Sequence, residues 1–383
     1  MELPFPIATY HERMARVRAR MSEQGLDGLM LSMPDVVHWL TGVNSVGYLW
    51  PQALVLDGSE REPTYVTRTT EAPGVAHCSW LTAPRVYDIA VEDAVEVIAD
   101  VIRRHGLDQA RVGVELDAFT LLPGNWDRLR AALPGVTWVD ASNLVPEERL
   151  VKSAAEISYQ RQAAEMADYA MERVFEAIRP GMAETELAGI AAHALGEAGS
   201  EFAAIPPMVV SGERSALVHA LASRRTLSRG DVVCVEIAGV VHRYHAVLMR
   251  TVVIGEPSAR VREVAECAAR ATEAAIAAAK PGAPAAAPEE ACNAVLNELD
   301  LLPNRCHRVG YSLGVAFPPG WLEPMTLVAG DPHVLGPNMS FTIEPNLSLP
   351  DEGFGIKMGD TAVCTPGGSV SLSRLDHSLR VVG

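Results

Sequence analysis

An internal echo in the second part of the chain limits the folds open to it. Apolar periodicity predicts a long helix over 154–178 that ends in Arg179-Pro180-Gly181, followed by a second helix over 183–198. About a hundred residues later the order recurs: a helix over 258–279 ends in Lys280-Pro281-Gly282, and a helix over 288–299 follows. Each pair then runs into strand-rich sequence. A doubled unit of this kind predicts one curved antiparallel sheet built from both copies, with the four helices on its outside. Its pseudo-twofold puts a site between the halves. Pro-Gly after a helix is also ordinary C-terminal chemistry, so the echo alone leaves that second explanation open.

The first 145 residues read differently. Tyr10, Met14, Val17 and Met21 recur at helical spacing, Gly25 stops that helix, and strand-like LDGLMLS follows. VEDAVEVIADVIRRHG (91–106) predicts another helix with basic residues in its last turn; strands at RVGVEL (111–116) and VTWVD (136–140) flank a helix over 119–132. Alternating strands and helices indicate a small α/β domain. The polar stretch NLVPEERLVKS (143–153), with Pro146, marks the boundary. The expectation is therefore α+β: an N-terminal α/β domain over 1–150 and the duplicated unit over 151–383.

Composition excludes several classes of partner. With 48 acidic against 32 basic residues the formal charge is −16, which repels a phosphate backbone and argues against nucleic acid. No apolar run reaches the ~18 residues of a membrane span, and MELPFPIATYHERMARVRARM carries charges where a signal peptide needs its apolar stretch. A cytoplasmic protein without membrane contact is expected. The six cysteines are scattered without a CxxC pair and read as reduced, mostly buried small hydrophobes.

The chemistry concentrates in the strand-rich stretches. GDVVCVEIAGVVHRYHAVLMRTVVIG (230–255) predicts a hairpin turning near Gly239, and strand period 2 puts Val232, Cys234, Glu236 and Ala238 on one face. Glu236 is thus a carboxylate within apolar sequence: it has a buried partner or a metal, or it faces water from an edge strand. Glu344, in MSFTIEPNL, holds the corresponding place in the second copy, and His219 precedes the first hairpin. Two carboxylates and a histidine in one pocket are general acid/base or nucleophilic equipment. His242 and His245 form an HxxH, but on a strand or its turn they point to opposite faces and cannot share an ion.

These residues carry a resemblance along nearly the whole chain. HWLTG (38–42), LVKSAAEI (150–157), Ser211-Gly212 with His219, Gly230-Asp231, Arg250-Thr251, GYSLG (310–314) and IEP (343–345) follow in the order of landmarks in the pita-bread hydrolases, the creatinase, prolidase and aminopeptidase P family. Metal-dependent members hold two ions with two Asp, one His and two Glu. By the resemblance those positions fall on Glu236, Val247, Tyr311, Glu344 and Gly359, and Val, Tyr and Gly cannot supply the ligands. Metal-free hydrolysis without a cofactor is then implied. Creatinase fits in part: His219 and Glu344 match, but its second guanidinium-binding glutamate falls on Met249, and its carboxylate-binding arginine near Trp321.

The chain more closely resembles the metal-independent ectoine hydrolase branch, through VEIAG, HRYH, GYSLG and FPPGW (317–321). That resemblance implies ring opening of a small cyclic amidine, a zwitterion whose N–C–N cation has an electrophilic central carbon. Glu236 and Glu344 suit it, one pairing with ring N–H groups and the other attacking the carbon or activating water, while His219 shuttles a proton. Tyr311, Trp321, Tyr48 and Trp50 are candidate walls, the last two equally readable as core packing. Lys357, His245, Arg250 and Arg243 are candidates to hold a substrate carboxylate. The resemblance also implies a homodimer whose N-terminal domain completes the neighbouring site. A catalytically inactive small-molecule-binding relative, or a creatinase-like amidinohydrolase, are the competing readings.

Overall fold

A computed structural model describes residues 2–383, which divide into two compact units, one up to Arg149 and one from Leu150 to Gly383. The first unit carries helices α1 (Ile7–Glu23), α2 (Pro34–Thr41), α3 (Ala72–Cys78), α4 (Ala94–Arg104), α5 (Pro123–Ala132) and α6 (Leu144–Glu148). Its strands β1 (Gly28–Leu31), β2 (Ala53–Asp57), β3 (Thr64–Arg68), β4 (Arg85–Tyr87), β5 (Arg111–Val114) and β6 (Thr137–Asp140) form a mixed sheet in the order β4-β3-β2-β1-β5-β6. Helix α4 starts where Asp93 accepts hydrogen bonds from the Val95 and Glu96 N–H groups. Its apolar face, including Val97, Ile98, Val101 and Ile102, packs in one core with Val55, Val66 and Val112 of the sheet.

The second unit carries α7 (Ala154–Ala177), α8 (Glu184–Glu197), α9 (Ala259–Ala278) and α10 (Ala287–Leu296). Its strands are β7 (Met208–Ser211), β8 (Val232–Val241), β9 (Tyr244–Ile254), β10 (Tyr311–Phe317), β11 (Gly320–Thr326), β12 (Ser340–Ile343), β13 (Leu347–Leu349), β14 (Phe354–Ile356), β15 (Gly359–Thr365), β16 (Gly368–Ser371) and β17 (Arg380–Val382). The main sheet runs β11-β10-β12-β15-β9-β8-β7 and is antiparallel along that path. It is the pita-bread arrangement. No helix among the described residues is long and apolar enough to cross a membrane.

The echo is a true duplication of backbone contacts. After α7, the Gly181 N–H donates to Leu227 O and the Leu227 N–H donates back to Met182 O; after α9, Gly282 N–H donates to Leu335 O and Leu335 N–H to Ala283 O. Both glycines sit in the left-handed region, at φ 92° and 84°, where a side chain would be strained. Ordinary helix termination does not produce matching returns to a distant strand segment, so the alternative explanation of the Pro-Gly repeats fails.

The hairpin turns three residues later than expected. Strands β8 and β9 continue to Val241 and Tyr244, and the turn is His242-Arg243, both at positive φ (48° and 67°). Left-handed backbone disfavours such residues by roughly 1–2 kcal/mol each. Here the Glu201 carboxylate accepts both turn N–H groups, His242 packs edge-on against Tyr159, and the Arg243 guanidinium lies over the Phe202 and Phe317 rings. Gly239, read as a turn signal, serves instead for close approach: a Cβ there would lie 1.9 Å from Ala163 O of α7.

Candidate active site

Strand period 2 on β8 sorts its side chains between two environments. Val233, Val235 and Ile237 enter the core formed with α7 and α8, whereas Cys234 belongs to the core of α9 and α10, and Ala238 to a small cluster with Met249, Tyr311 and Trp321. Glu236 shares the face of Cys234 and Ala238, opposite Met208 and Met249 in the register, and is 4% exposed. It is therefore not on a solvent-facing edge. The Lys357 Nζ, equally buried, donates to Glu236 Oε2 at 2.7 Å.

Glu344 arrives from the other half. It follows the last residue of β12, with its N–H donating to Val309 O at 2.7 Å, and is 3% exposed. Gly310 permits this crossing, since a Cβ there would stand 1.9 Å from Thr342 O, and the crossing lays His307, Arg308 and Tyr311 beside the carboxyl. Burial and then the Glu236 charge raise the Glu344 pKa to about 8, against the pull of Lys357, Arg308 and the Tyr311 hydroxyl. Glu344 thus holds its proton over most of the neutral range. Tyr311 is itself pushed well above the usual phenol range by burial and by Glu344, and its oxygen accepts from Trp321 Nε1 at 2.9 Å.

A cavity of about 210 Å³ opens among these groups, lined by His219, Glu236, His307, Arg308, Tyr311, Trp321, Glu344 and Asn346, with Ile205, Met208, Met249 and Leu322 as apolar wall. His219 is exposed, on a loop held by Glu184. That buried carboxylate accepts from the Ser211 N–H and hydroxyl at 2.8 Å each and from the Ser223 N–H and hydroxyl at 2.9 and 2.6 Å, closing the segment that carries His219. The His219 and His307 rings lie nearly parallel with centroids 6.1 Å apart. Burial lowers the His307 pKa, helped by the charges of Arg308, His219 and Lys357.

Three lining residues carry buried polar atoms without a hydrogen-bond partner: Arg308 Nε, Glu344 Oε2 and Asn346 Oδ1. Three such atoms around one cavity offer a ligand polar contacts that the protein itself does not fill. The donor set does not suit a dinuclear metal centre. Lys357 already neutralises Glu236, Val247 and Tyr311 offer no metal-binding carboxylate or imidazole, and among the described residues no group of three or more His, Cys, Asp or Glu is placed to hold an ion. A side chain at Gly359 would meet Ile343 O at 2.8 Å and Glu344 Cβ at 3.0 Å, so no carboxylate fits there.

His219, Glu236, Glu344, Tyr311 and Trp321 come together; the other sequence candidates do not. Lys357 sits behind Glu236 and is engaged by it. His245 is fully buried outside the cavity: its Nε2 accepts from the Ala204 N–H at 3.0 Å, its Nδ1 bonds Arg243 O at 2.8 Å, and burial lowers its pKa to about 3. A neutral imbedded ring of that kind positions the 202–205 loop and cannot hold a carboxylate. Arg250 is bound to Asp360 at 2.7 Å and to surrounding carbonyls, and Arg243 to Ala316 O and Phe202 O. In the first unit Tyr48 is buried against Phe119, while Trp50 is 40% exposed with the Arg68 guanidinium 3.6 Å over its ring. His307, Arg308 and Asn346 escaped sequence reasoning, although they stand one to three residues from the GYSLG and IEP motifs.

Comparison with known proteins agrees with this architecture. Residues 158–366 match the profile of metallopeptidase family M24, and residues 13–151 that of the creatinase/prolidase N-terminal domain. The chain is 30% identical to the uncharacterized hydrolase/peptidase y4tL of Sinorhizobium fredii, covering 99% of this chain and 98% of the relative. It is 29% identical to the ectoine hydrolase of Halomonas elongata, covering 100% and 99%. The crystal structure of a prolidase from Thermococcus sibiricus superposes with a TM-score of 0.90 at 23% identity, over 97% of this chain and 99% of that one. With both of its units matched in order, the chain belongs to the creatinase and prolidase family of pita-bread hydrolases, M24.

Proposed function

We propose that this M24 hydrolase opens a C–N bond in a small cyclic amidine or related zwitterion without a metal ion, as an ectoine-hydrolase-like enzyme. The observation that carries the reading is the pairing of Glu236 with Lys357 beside a proton-holding Glu344, whose Oε2 has no partner, in a cavity sized for one small ring. An amidinium entering there displaces the Glu344 proton and gives Oε2 its missing partner. Attack at the central carbon by water that one glutamate activates, or by the glutamate itself with water later cleaving the glutamyl–carbon bond, gives a tetrahedral species. Protonation of one nitrogen, with His219 at the exposed side as shuttle, lets the C–N bond break. Met249 in the cavity wall removes half of a carboxylate clamp for guanidinium, which disfavours creatine.

The proposal extends to a cytoplasmic homodimer in which the N-terminal unit of one subunit, through its exposed Trp50, covers the other's cavity, while Tyr48 stays in its own core. Leu217, Leu221 and Leu322, each about half exposed around His219 and the cavity, are the apolar rim such a cover would bury. Incubation with ectoine, 5-hydroxyectoine, creatine and a proline dipeptide in the presence of a chelator tests the reading. Chelator-resistant turnover of a cyclic amidine is expected. Chelator-sensitive dipeptide cleavage would overturn it, and tight binding without turnover would make the chain a binding protein.

A further inference from the structure

We propose that Arg308 anchors a carboxylate of the substrate, making the cavity two-ended: Glu344 and Asn346 accept from the cationic part, and Arg308 donates to the anionic part. This rests on the cavity being the substrate site and deepens the reading above. The four basic residues that sequence offered for the task are all spent: Lys357 on Glu236, Arg250 on Asp360, Arg243 on two carbonyls, and His245 on Ala204. Arg308 lines the cavity, its guanidinium lies 4.7 Å over the Tyr311 ring, and its Nε is buried without an acceptor. A planar guanidinium fixed on an aromatic face keeps its N–H edge free for an oxyanion, and a guanidinium left unpaired at a half-buried site is a cost that a carboxylate removes.

The unpaired atoms specify the complement. Asn346 Oδ1 accepts only, Glu344 Oε2 accepts once a cation has displaced its proton, and Arg308 Nε donates only, so the missing molecule carries N–H donors and an acceptor on one small frame. An amidine lacking the carboxylate satisfies only the first set. A simple anion satisfies only the second. The substrate class is therefore a carboxylate-bearing amidine or guanidine rather than a plain cationic base.

The test is calorimetric binding of two matched pairs to wild type, Arg308→Gln and Arg308→Lys: ectoine with 2-methyl-1,4,5,6-tetrahydropyrimidine, and creatine with 1,1-dimethylguanidine. Wild type should favour the acid of a bound pair by about tenfold or more, and Arg308→Gln should reduce that preference to roughly twofold by weakening the acid more than its decarboxylated partner. Arg308→Lys should keep part of it, and its melting temperature shows whether the site is intact. A preference that survives Arg308→Gln, no preference in wild type, or no acid bound at all would each sink the anchor. An Arg308-dependent preference for creatine with no binding of the amidine pair would keep the anchor and overturn the cyclic-amidine reading.

Discussion

Glu344 makes the protein's stability and its ligand binding depend on pH in a defined direction. Its folded pKa near 8 lies above the usual carboxyl value of 4.5, so the folded state binds the proton more tightly than the unfolded chain. That contribution is complete below pH 4.5 and is lost as pH rises through 8, with a slope of at most about 1.4 kcal/mol per pH unit. Urea unfolding of wild type and Glu344→Gln from pH 5 to 8.5 should show the wild type losing stability relative to the variant; parallel curves would mean Glu344 is not protonated in the free protein. A cationic ligand should release up to one proton near pH 7, read as a binding enthalpy that varies with the buffer's ionisation enthalpy. Lys357→Met leaves Glu236 buried without counter-charge and should lower stability by about 3–5 kcal/mol. Glu236→Gln combined with Lys357→Met should recover part of that loss without recovering turnover, as chemical denaturation and a turnover assay would show.

At the level of elements, the sequence marked what periodicity and chain breaks can mark. Helices α7 to α10 and the strand character of β8 and β9 were legible because long apolar stripes and β-branched runs repeat over many residues. Strands β2, β3 and β4 were not, although they pair with their neighbours in sequence in the order β4-β3-β2-β1. The turn was misplaced because Gly239 has two possible uses, and only the helix lying 1.9 Å from its missing Cβ decides between them. Gly359 has the same character at the start of β15. Gly359→Ala should push against Ile343 O and Glu344, costing about 1–3 kcal/mol in denaturation and reducing turnover by displacing the carboxyl. A variant with unchanged stability and rate would show that β12 and β15 are not closely apposed at that point.

For the whole molecule, the sequence supplied the two glutamates and the histidine but not which cations were already spent. What removes Lys357, Arg250, Arg243 and His245 from the task and leaves Arg308 is what surrounds each, and a surrounding assembled from β8, β12 and the 305–311 segment is invisible to local pattern. The same limit applies to the proposed dimer, which can be tested without any interface geometry. If Trp50 completes the site of a neighbour, Trp50→Ala and Glu344→Gln chains mixed and reassociated will form heterodimers in which one site carries both lesions and the other carries none. Random exchange at equal amounts makes half of the dimers mixed, so activity should return to roughly a quarter of wild type from two nearly inactive parents. Sites completed within a single chain would give no recovery beyond the average of the parents. Because each parent keeps its own fold and cavity walls, a gain on mixing has no explanation except exchange of an intact Trp50 onto an intact Glu344.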